Sequence, residues 1–284
     1  MRAMRAKGSR RALIALLVLL LLCAFCAAGL DSRIAVTEYE IASPEVPTGF
    51  DGLRLAVVAD PHGSFMQAGG ELTEKIDAAG VDCILLLGDM LNEKAPDMVV
   101  FAGFLSELVR VAPVYAVSGN HDRWHDYYRE FCDTCEDAGV ILLEDREARI
   151  SRGAEEIRIV GFADPEFWTA DPPEGCMDGV LEALPAKDGF DILLFHRANL
   201  FDHVADAGYE LVLSGHLHGG VVRLPFVGPV CKRLPVGDMT YAGGKYTSGE
   251  STLIVSRGLG NNVSVPRIFN RPELVVITLK SGEE

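Results

Sequence analysis

The sequence predicts an α/β fold, specifically a four-layer αββα sandwich of two mixed β-sheets flanked by helices. Three observations carry that expectation. Short uncharged apolar runs alternate with amphipathic stretches of helical period. Several of those runs end in clusters of Asp, Asn, Gly and His, and three closely spaced strand-like runs follow between residues 140 and 161 without helices between them. Buried strands alternating with helices imply parallel pairing with helical crossovers, and in open α/β sheets ligands gather beyond the carboxyl ends of the strands.

In chain order, residues 1–30 form an apolar leader, 31–52 a linker with a first short strand and two prolines, Pro44 and Pro47, and 53–284 the expected domain. Residues 53–59 read as a buried strand, 71–79 as an amphipathic helix and 83–87 as a second buried strand. Residues 96–110 read as a helix and 114–117 as a third strand. After a helix over 127–138, the runs 140–143, 148–151 and 157–161 point to a second, more antiparallel sheet. Strands at 192–195, 211–213, 252–256 and 274–279 complete the pattern. That many strands are accommodated most economically by two packed sheets with helices outside.

At 284 residues, 49% hydrophobic and 24% charged, the chain is long and apolar enough for one large core. The leader is different in kind: Arg2, Arg5, Lys7, Arg10 and Arg11 without an acid, then nineteen uncharged residues over 12–30. That length exceeds the 7–15 of a signal-peptide core and approaches the ~20 of a bilayer span. The expectation is a signal anchor, a single transmembrane helix in the cell membrane with the domain on the far side from its basic flank. Cleavage and secretion stay open because Cys26 and Ala28 are small, and residues 9–14 loosely resemble a twin-arginine signal.

With the five basic leader residues set aside, 21 bases face 41 acids, a charge of about −20. Nucleic acid is excluded as a partner for such a field. Phosphate substrates would be repelled too, unless the site itself is positive, as two divalent cations would make it. Seven cysteines, five of them beyond the leader, do not form a disulfide scaffold. Cys132 and Cys135 lack the second pair that a structural zinc would need and lie in a helical stretch.

The chemistry sits in five places: Asp60-Pro61-His62, Gly88-Asp89, Gly119-Asn120-His121-Asp122, the lone His196, and Ser214-Gly215-His216-Leu217-His218. Taken singly, Asp60, Asp89 and Asn120 would also suit helix N-caps, and His196 a hydrogen-bonded strand-end histidine. Taken together they can bind two metals. Two divalent ions sharing a water and gripping phosphate oxygens would generate a nucleophile and stabilise charge on phosphorus. Holding two cations close together needs an anion between them, which Asp89 can supply, while imidazoles and an amide fill other positions without cancelling the charge.

This order of motifs resembles the calcineurin-like metallophosphoesterase superfamily from about Leu53 to Val222. Residues 214–229, 245–248, 253–261 and 267–276 are similar to its bacterial membrane-associated branch, the YkuE or YaeI type. The resemblance implies that Asp60, His62, Asp89 and His218 surround one metal and Asp89, Asn120, His196 and His216 the other. It implies a catalytic role for His121, with Asp122 as its orienting partner. Pro61 stands where an apolar residue is usual and Ala59 where Ser is frequent; a proline there can reshape the first metal loop without removing a ligand.

The implied cofactors are two divalent metal ions, with Mn, Fe and Zn all suited to mixed N and O ligands. The expected function is a dinuclear metal-dependent phosphodiesterase acting on a phosphodiester or pyrophosphate bond through a metal-bridging hydroxide. Its phosphoester substrate would be lipid-linked or of the envelope, such as UDP-2,3-diacylglucosamine. Alternatives are a nucleotide or cyclic-nucleotide phosphodiesterase, and a non-catalytic metal-binding or partner-binding domain. Beyond the motifs, Arg257 with Gly258, Gly260 and Asn261 reads as a structural turn rather than a phosphate loop, and His125 and His203 as surface histidines. Arg197, Arg223, Lys232 and Arg233 read as solvated loop charges, and 162–168 as a packed loop or an aromatic lip.

Overall fold

The computed structural model describes residues 2–64, 70–91, 96–123, 126–165, 173, 175–231, 233–234 and 237–282, with side chains from residue 13 onward except at 233 and 234. Helix α1 (Arg2–Gly29) leads into β1 (Ala35–Ser43) and β2 (Arg54–Val58). Then come α2 (Gly70–Ala79), β3 (Cys83–Leu87), α3 (Met98–Val111), β4 (Val114–Val117), the short α4 (Asn120–Arg123) and α5 (Tyr128–Asp137). Strands β5 (Ile141–Leu142), β6 (Arg146–Arg152) and β7 (Glu155–Phe162) precede α6 (Asp178–Ala183), β8 (Asp191–Arg197), α7 (Phe201–Val204) and β9 (Leu211–Gly215). Two small hairpins follow, β10 (Arg223–Leu224) with β11 (Gly228–Pro229) and β12 (Arg233–Leu234) with β13 (Gly237–Asp238). Strands β14 (Gly244–Ser248), β15 (Ser251–Val255) and β16 (Glu273–Ser281) end the chain.

Two six-stranded mixed sheets result, in the orders β1-β16-β2-β3-β4-β5 and β14-β15-β9-β8-β7-β6. Their layering follows from side-chain alternation along the strands. Leu55 and Val57 of β2, Leu85 and Leu87 of β3, Ile192 and Leu194 of β8 and Leu211 and Leu213 of β9 share one core between the sheets. The alternate residues Ala56, Val58, Ile84 and Leu86 face the helices instead, packing on Leu72 and Ile76 of α2, Phe101 and Phe104 of α3 and Phe131 of α5. On the other side Leu193, Phe195, Val212 and Leu253 pack on Phe201 and Val204 of α7. Strands buried on both faces explain why 83–87 and 192–195 carry no polar residue.

Several expectations need correcting. The second sheet is antiparallel only at its two edges, β6 with β7 and β14 with β15, while β7, β8, β9 and β15 run parallel. Strand β5 belongs to the first sheet, parallel to β4. The strand in the expected linker is nine residues long and pairs with β16 along its whole length. Strand β14, half exposed in alternation, escaped the sequence reading because it has no apolar run.

The leader also departs from expectation. Among the described residues, no helix is long and apolar enough to cross a membrane. The expected transmembrane signal anchor, the cell-membrane localisation and the membrane contact of the N-terminal segment are corrected accordingly. At its end α1 rests on the domain: Phe25 stacks obliquely on Phe269, ring centroids 4.7 Å apart, and Phe269 N–H donates to the carbonyl of Gly29.

Candidate metal centre

All the motif residues converge at the carboxyl ends of the parallel strands. Asp60 and His62 follow β2, Asp89 follows β3, and Asn120 and His121 open α4 directly after β4. His196 lies near the end of β8, and His216 and His218 leave β9. All are buried. The loops carrying Asp60 and Asp89 are zipped together by Asp60 N–H to Gly88 O (3.1 Å), His62 N–H to Asp89 O (3.0 Å) and Gly63 N–H to Met90 O (3.0 Å). Backbone amides then fix the carboxylates, since His121 N–H donates to Asp89 Oδ1 at 2.8 Å and His216 N–H to Asp60 Oδ1 and Oδ2 at 3.1 Å.

These loops are strained. Asp60, His62, Asp89, His216 and His218 all have positive φ, between 46° and 74°. Left-handed backbone at non-glycine residues costs on the order of 1–3 kcal/mol each and persists where the surroundings over-determine it, typically at functional sites. Close approach demands glycine at two neighbouring positions. A Cβ on Gly119 would run into Asp89 Oδ1 and N, and one on Gly215 would lie 2.7 Å from Asp60 Oδ2.

Two ligand clusters emerge, each with its donor atoms within 4.8 Å of one another: Asp60, His62, Asp89 and His218, and Asp89, His196 and His216. In the first, His62 Nε2 lies 3.2 Å from His218 Nε2 and 3.6 Å from Asp89 Oδ2, and His218 Nε2 lies 3.8 Å from Asp60 Oδ1. In the second, His196 Nε2 lies 3.3 Å from Asp89 Oδ2, 3.2 Å from His216 Nδ1 and 3.2 Å from the amide oxygen of Asn120. Asp89 Oδ2 is common to both.

The donor chemistry fits two cations. His196 Nδ1 contacts the carbonyl of Leu87 at 2.6 Å and must carry its proton there, so Nε2 faces two oxygen acceptors, of Asp89 and Asn120, and the ring nitrogen Nδ1 of His216. Such convergence of lone pairs is stable only around positive charge. Among the described residues, the buried His216 Nε2 has no hydrogen-bond partner.

The electrostatics agree. Burial pulls His62 down to about 4 and holds His216 and His218 well below the usual imidazole range, so all three are neutral donors at pH 7. Burial also acts against a charged His196, but the Asp89 carboxylate outweighs it and raises that ring to about 10. A proton is drawn to the point where a cation would sit. Burial likewise opposes ionisation of Asp89, yet His196 and its neighbours keep it well below the carboxylate range, while burial lifts Asp60 to about 7. The buried set of His and Asp residues is suited to binding two divalent metal ions.

Around the clusters, His121 faces the first one, its ring 4.9 Å from His62 and its Nε2 3.9 Å from Asp89 Oδ2. The carboxylate of Asp122, expected to orient His121, accepts Leu91 N–H and Gly119 N–H, both at 2.9 Å, and so braces two loops. The ring of His121 meets Asn262, Nδ2 to Nε2 at 3.1 Å. Asn262 has no motif around it, and no sequence signal marked it. Asn270 was missed in the same way; its amide donates to the carbonyls of His218 (2.7 Å) and Val221 (3.1 Å).

The charges read as solvated divide. Arg197 is buried in a bidentate pair with Asp164, at 2.7 and 2.9 Å, whereas Arg223 donates to the carbonyl of Gly219. Arg257 pairs with Glu273 at 2.6 Å, and Gly258 and Gly260 cradle the Asp60 loop, Gly260 N–H donating to Asp60 O at 2.7 Å, so the turn is structural as expected. His203 is exposed on α7. Cys132 and Cys135 are free thiols on α5. His125, Lys232, the side chain of Arg233 and residues 166–168 of the proposed lip lie outside the described residues.

Two buried clusters sharing one carboxylate, at the strand ends of a double-sheet α/β fold, define a metal-dependent phosphoester hydrolase. The chain belongs to the calcineurin-like phosphoesterase family, which matches residues 53–220. It is 27% identical over 266 residues to the uncharacterized metallophosphoesterase YkuE of Bacillus subtilis, covering 87% of this chain and 86% of that one. It is 30% identical over 203 residues to the phosphodiesterase YaeI of Escherichia coli, covering 70% of each. Among solved structures, TT1561 of Thermus thermophilus is similar over 73% of this chain and 90% of its own, with a TM-score of 0.48 and 17% identity.

Proposed function

We propose that the chain hydrolyses phosphodiester or pyrophosphate bonds, with His121 as the catalytic group outside the metal ligands. The observation that carries this reading is Asp89 Oδ2 lying within reach of both histidine clusters, 3.6 Å from His62 and 3.3 Å from His196. When bound, two divalent ions would supply positive charge for the phosphoryl oxygens and lower the pKa of an attacking water. The side chains around them do the rest. Asp60, His62, Asp89 and His218 would hold one ion, and Asp89, Asn120, His196 and His216 the other. His121, buried beside both, is placed to hold or deliver a proton, or to hydrogen-bond a phosphoryl oxygen, through Nε2 once Asn262 yields that atom.

The diester is favoured over the monoester by likeness to a relative named as a phosphodiesterase. The lipid-linked substrate expected from the leader drew on a membrane span and loses that support, so the bond type is taken as the specificity proposed. The test compares hydrolysis of bis-p-nitrophenyl phosphate and p-nitrophenyl phosphate by the full chain with Mn²⁺. Faster diester turnover, cut about 10²-fold in His121→Ala with metal content unchanged, is expected. Faster monoester turnover would overturn the bond type, and two bound metals without turnover would favour a non-catalytic binding domain.

A further inference from the structure

Glu144 stands in the turn between β5 and β6, outside every sequence motif, yet its carboxylate collects four donors. Ser118 N–H reaches Oε1 at 2.7 Å, while Ser118 Oγ (2.8 Å), Arg123 Nη1 (2.8 Å) and Tyr128 Oη (2.7 Å) all reach Oε2. Ser118 immediately precedes Gly119-Asn120-His121-Asp122, and Arg123 immediately follows it. One carboxylate therefore grips both ends of the segment that presents Asn120 and His121.

The grip has little freedom. The Glu144 and Arg123 side chains are only 16% and 17% exposed, so the charge-assisted bonds between them are weakly screened. Glu144 is itself held between the sheets: Leu143 N–H donates to Ala116 O of β4 at 2.7 Å, and Asp145 Oδ1 accepts Ala163 N–H beyond β7 at 2.9 Å. Movement of its carboxylate would leave the buried Ser118 amide unpaired, and the adjoining segment would relax away from Asp89.

We propose that Glu144 is a positioning residue for hydrolysis, fixing Asn120 and His121 against Asp89 from the far side of their loop. The inference rests on the reading of His121 given above. Misplacement of a reacting group by about 1 Å can cost on the order of 10²-fold in rate, so the effect should appear in kcat.

The experiment measures kcat, KM, bound metal and Tm for the Mn²⁺-loaded full chain with bis-p-nitrophenyl phosphate. The variants are Glu144→Gln, Glu144→Ala, His121→Ala and the Glu144→Ala/His121→Ala double. Glu144→Ala should lower kcat by about 30- to 100-fold with KM within about twofold and both metals retained. Glu144→Gln, which keeps one good acceptor, should recover most of that loss. In the His121→Ala background, Glu144→Ala should cost less than about threefold, because a group acting through another loses its effect when that group is gone. Where His121→Ala itself lowers kcat, fully multiplicative losses would overturn the proposal, as would, in every case, an unchanged kcat in Glu144→Ala or a loss that merely follows loss of metal.

If His121→Ala alone leaves kcat unchanged, the reading of His121 falls, and Glu144 is judged by its own kcat: a loss at full metal content still supports positioning, acting through Asn120. Should Glu144→Ala fail to fold, Ser118→Ala and Tyr128→Phe each remove one of the four donors. A fall of about two- to fivefold in kcat at unchanged KM supports the proposal, and no change in either variant overturns it.

Discussion

The two halves of the metal centre are built by different means. The first cluster has two carboxylates, Asp60 and Asp89, and all four of its ligands sit in left-handed backbone. The second shares Asp89 but adds no further carboxylate, only His196 from a strand and His216, beside the amide oxygen of Asn120 on a helix. One half is rich in charge and strained, the other poor in charge and mounted largely on regular structure. Ligand charge sets cation affinity, so the first cluster should hold its ion tightly and the second should bind a more exchangeable, less neutralised one. A less neutralised ion is the better electrophile for a phosphoryl oxygen.

Removal of the shared group should have the largest effect. Asp89→Ala deletes the anion between the sites and should abolish binding of both ions and cut kcat/KM by at least about 10³-fold, as metal analysis and diester assays would record. Retention of either ion at wild-type affinity would break the comparison. Next in size, Asp60→Asn gives the first cluster the charge of the second, and its Mn²⁺ affinity in calorimetric titration should fall about 10- to 100-fold, merging two phases into one. The converse change, Asn120→Asp, should tighten the weaker phase by about tenfold while lowering turnover, because added charge makes that ion less electrophilic.

The smallest expected effects separate backbone fit from charge. Gly119→Ala places a methyl against Asp89 Oδ1 and N, and Gly215→Ala places one 2.7 Å from Asp60 Oδ2. Each should destabilise the fold by about 1–3 kcal/mol, seen as a lower Tm. Gly119→Ala should weaken both metal phases and Gly215→Ala chiefly the tighter one.

Much of this was legible in the sequence, for a physical reason. Strands buried on both faces carry uninterrupted apolar runs, so the polar residues that end them stand out, and Asp60, Asp89, Asn120, His196 and His216 were visible in that way. The αββα layering followed from the count and spacing of those runs. What escaped was written without contrast. Strand β14 alternates between half-buried and exposed positions, and the expected linker strand β1 owes its full length to pairing with a strand 230 residues and more away in the chain, as Thr37 with Val275. Glu144, Asn262 and Asn270 act through contacts made only once distant segments are folded together, 141 residues apart for Asn262 and His121. The role expected of Asp122 came from the family resemblance, and the backbone amides that its carboxylate accepts, from Leu91 and Gly119, carry no mark in the sequence. The leader was read from a basic flank and an apolar length, whereas no helix among the described residues is long and apolar enough to span a membrane.

The most direct test is a stepwise titration of metal-free chain with Mn²⁺, following bound metal and diester hydrolysis together. Two ions should bind, one tight and one weak, with activity appearing only as the second site fills. Full activity at one equivalent, or a single ion at saturation, would contradict a centre in which Asp89 joins two unequal sites.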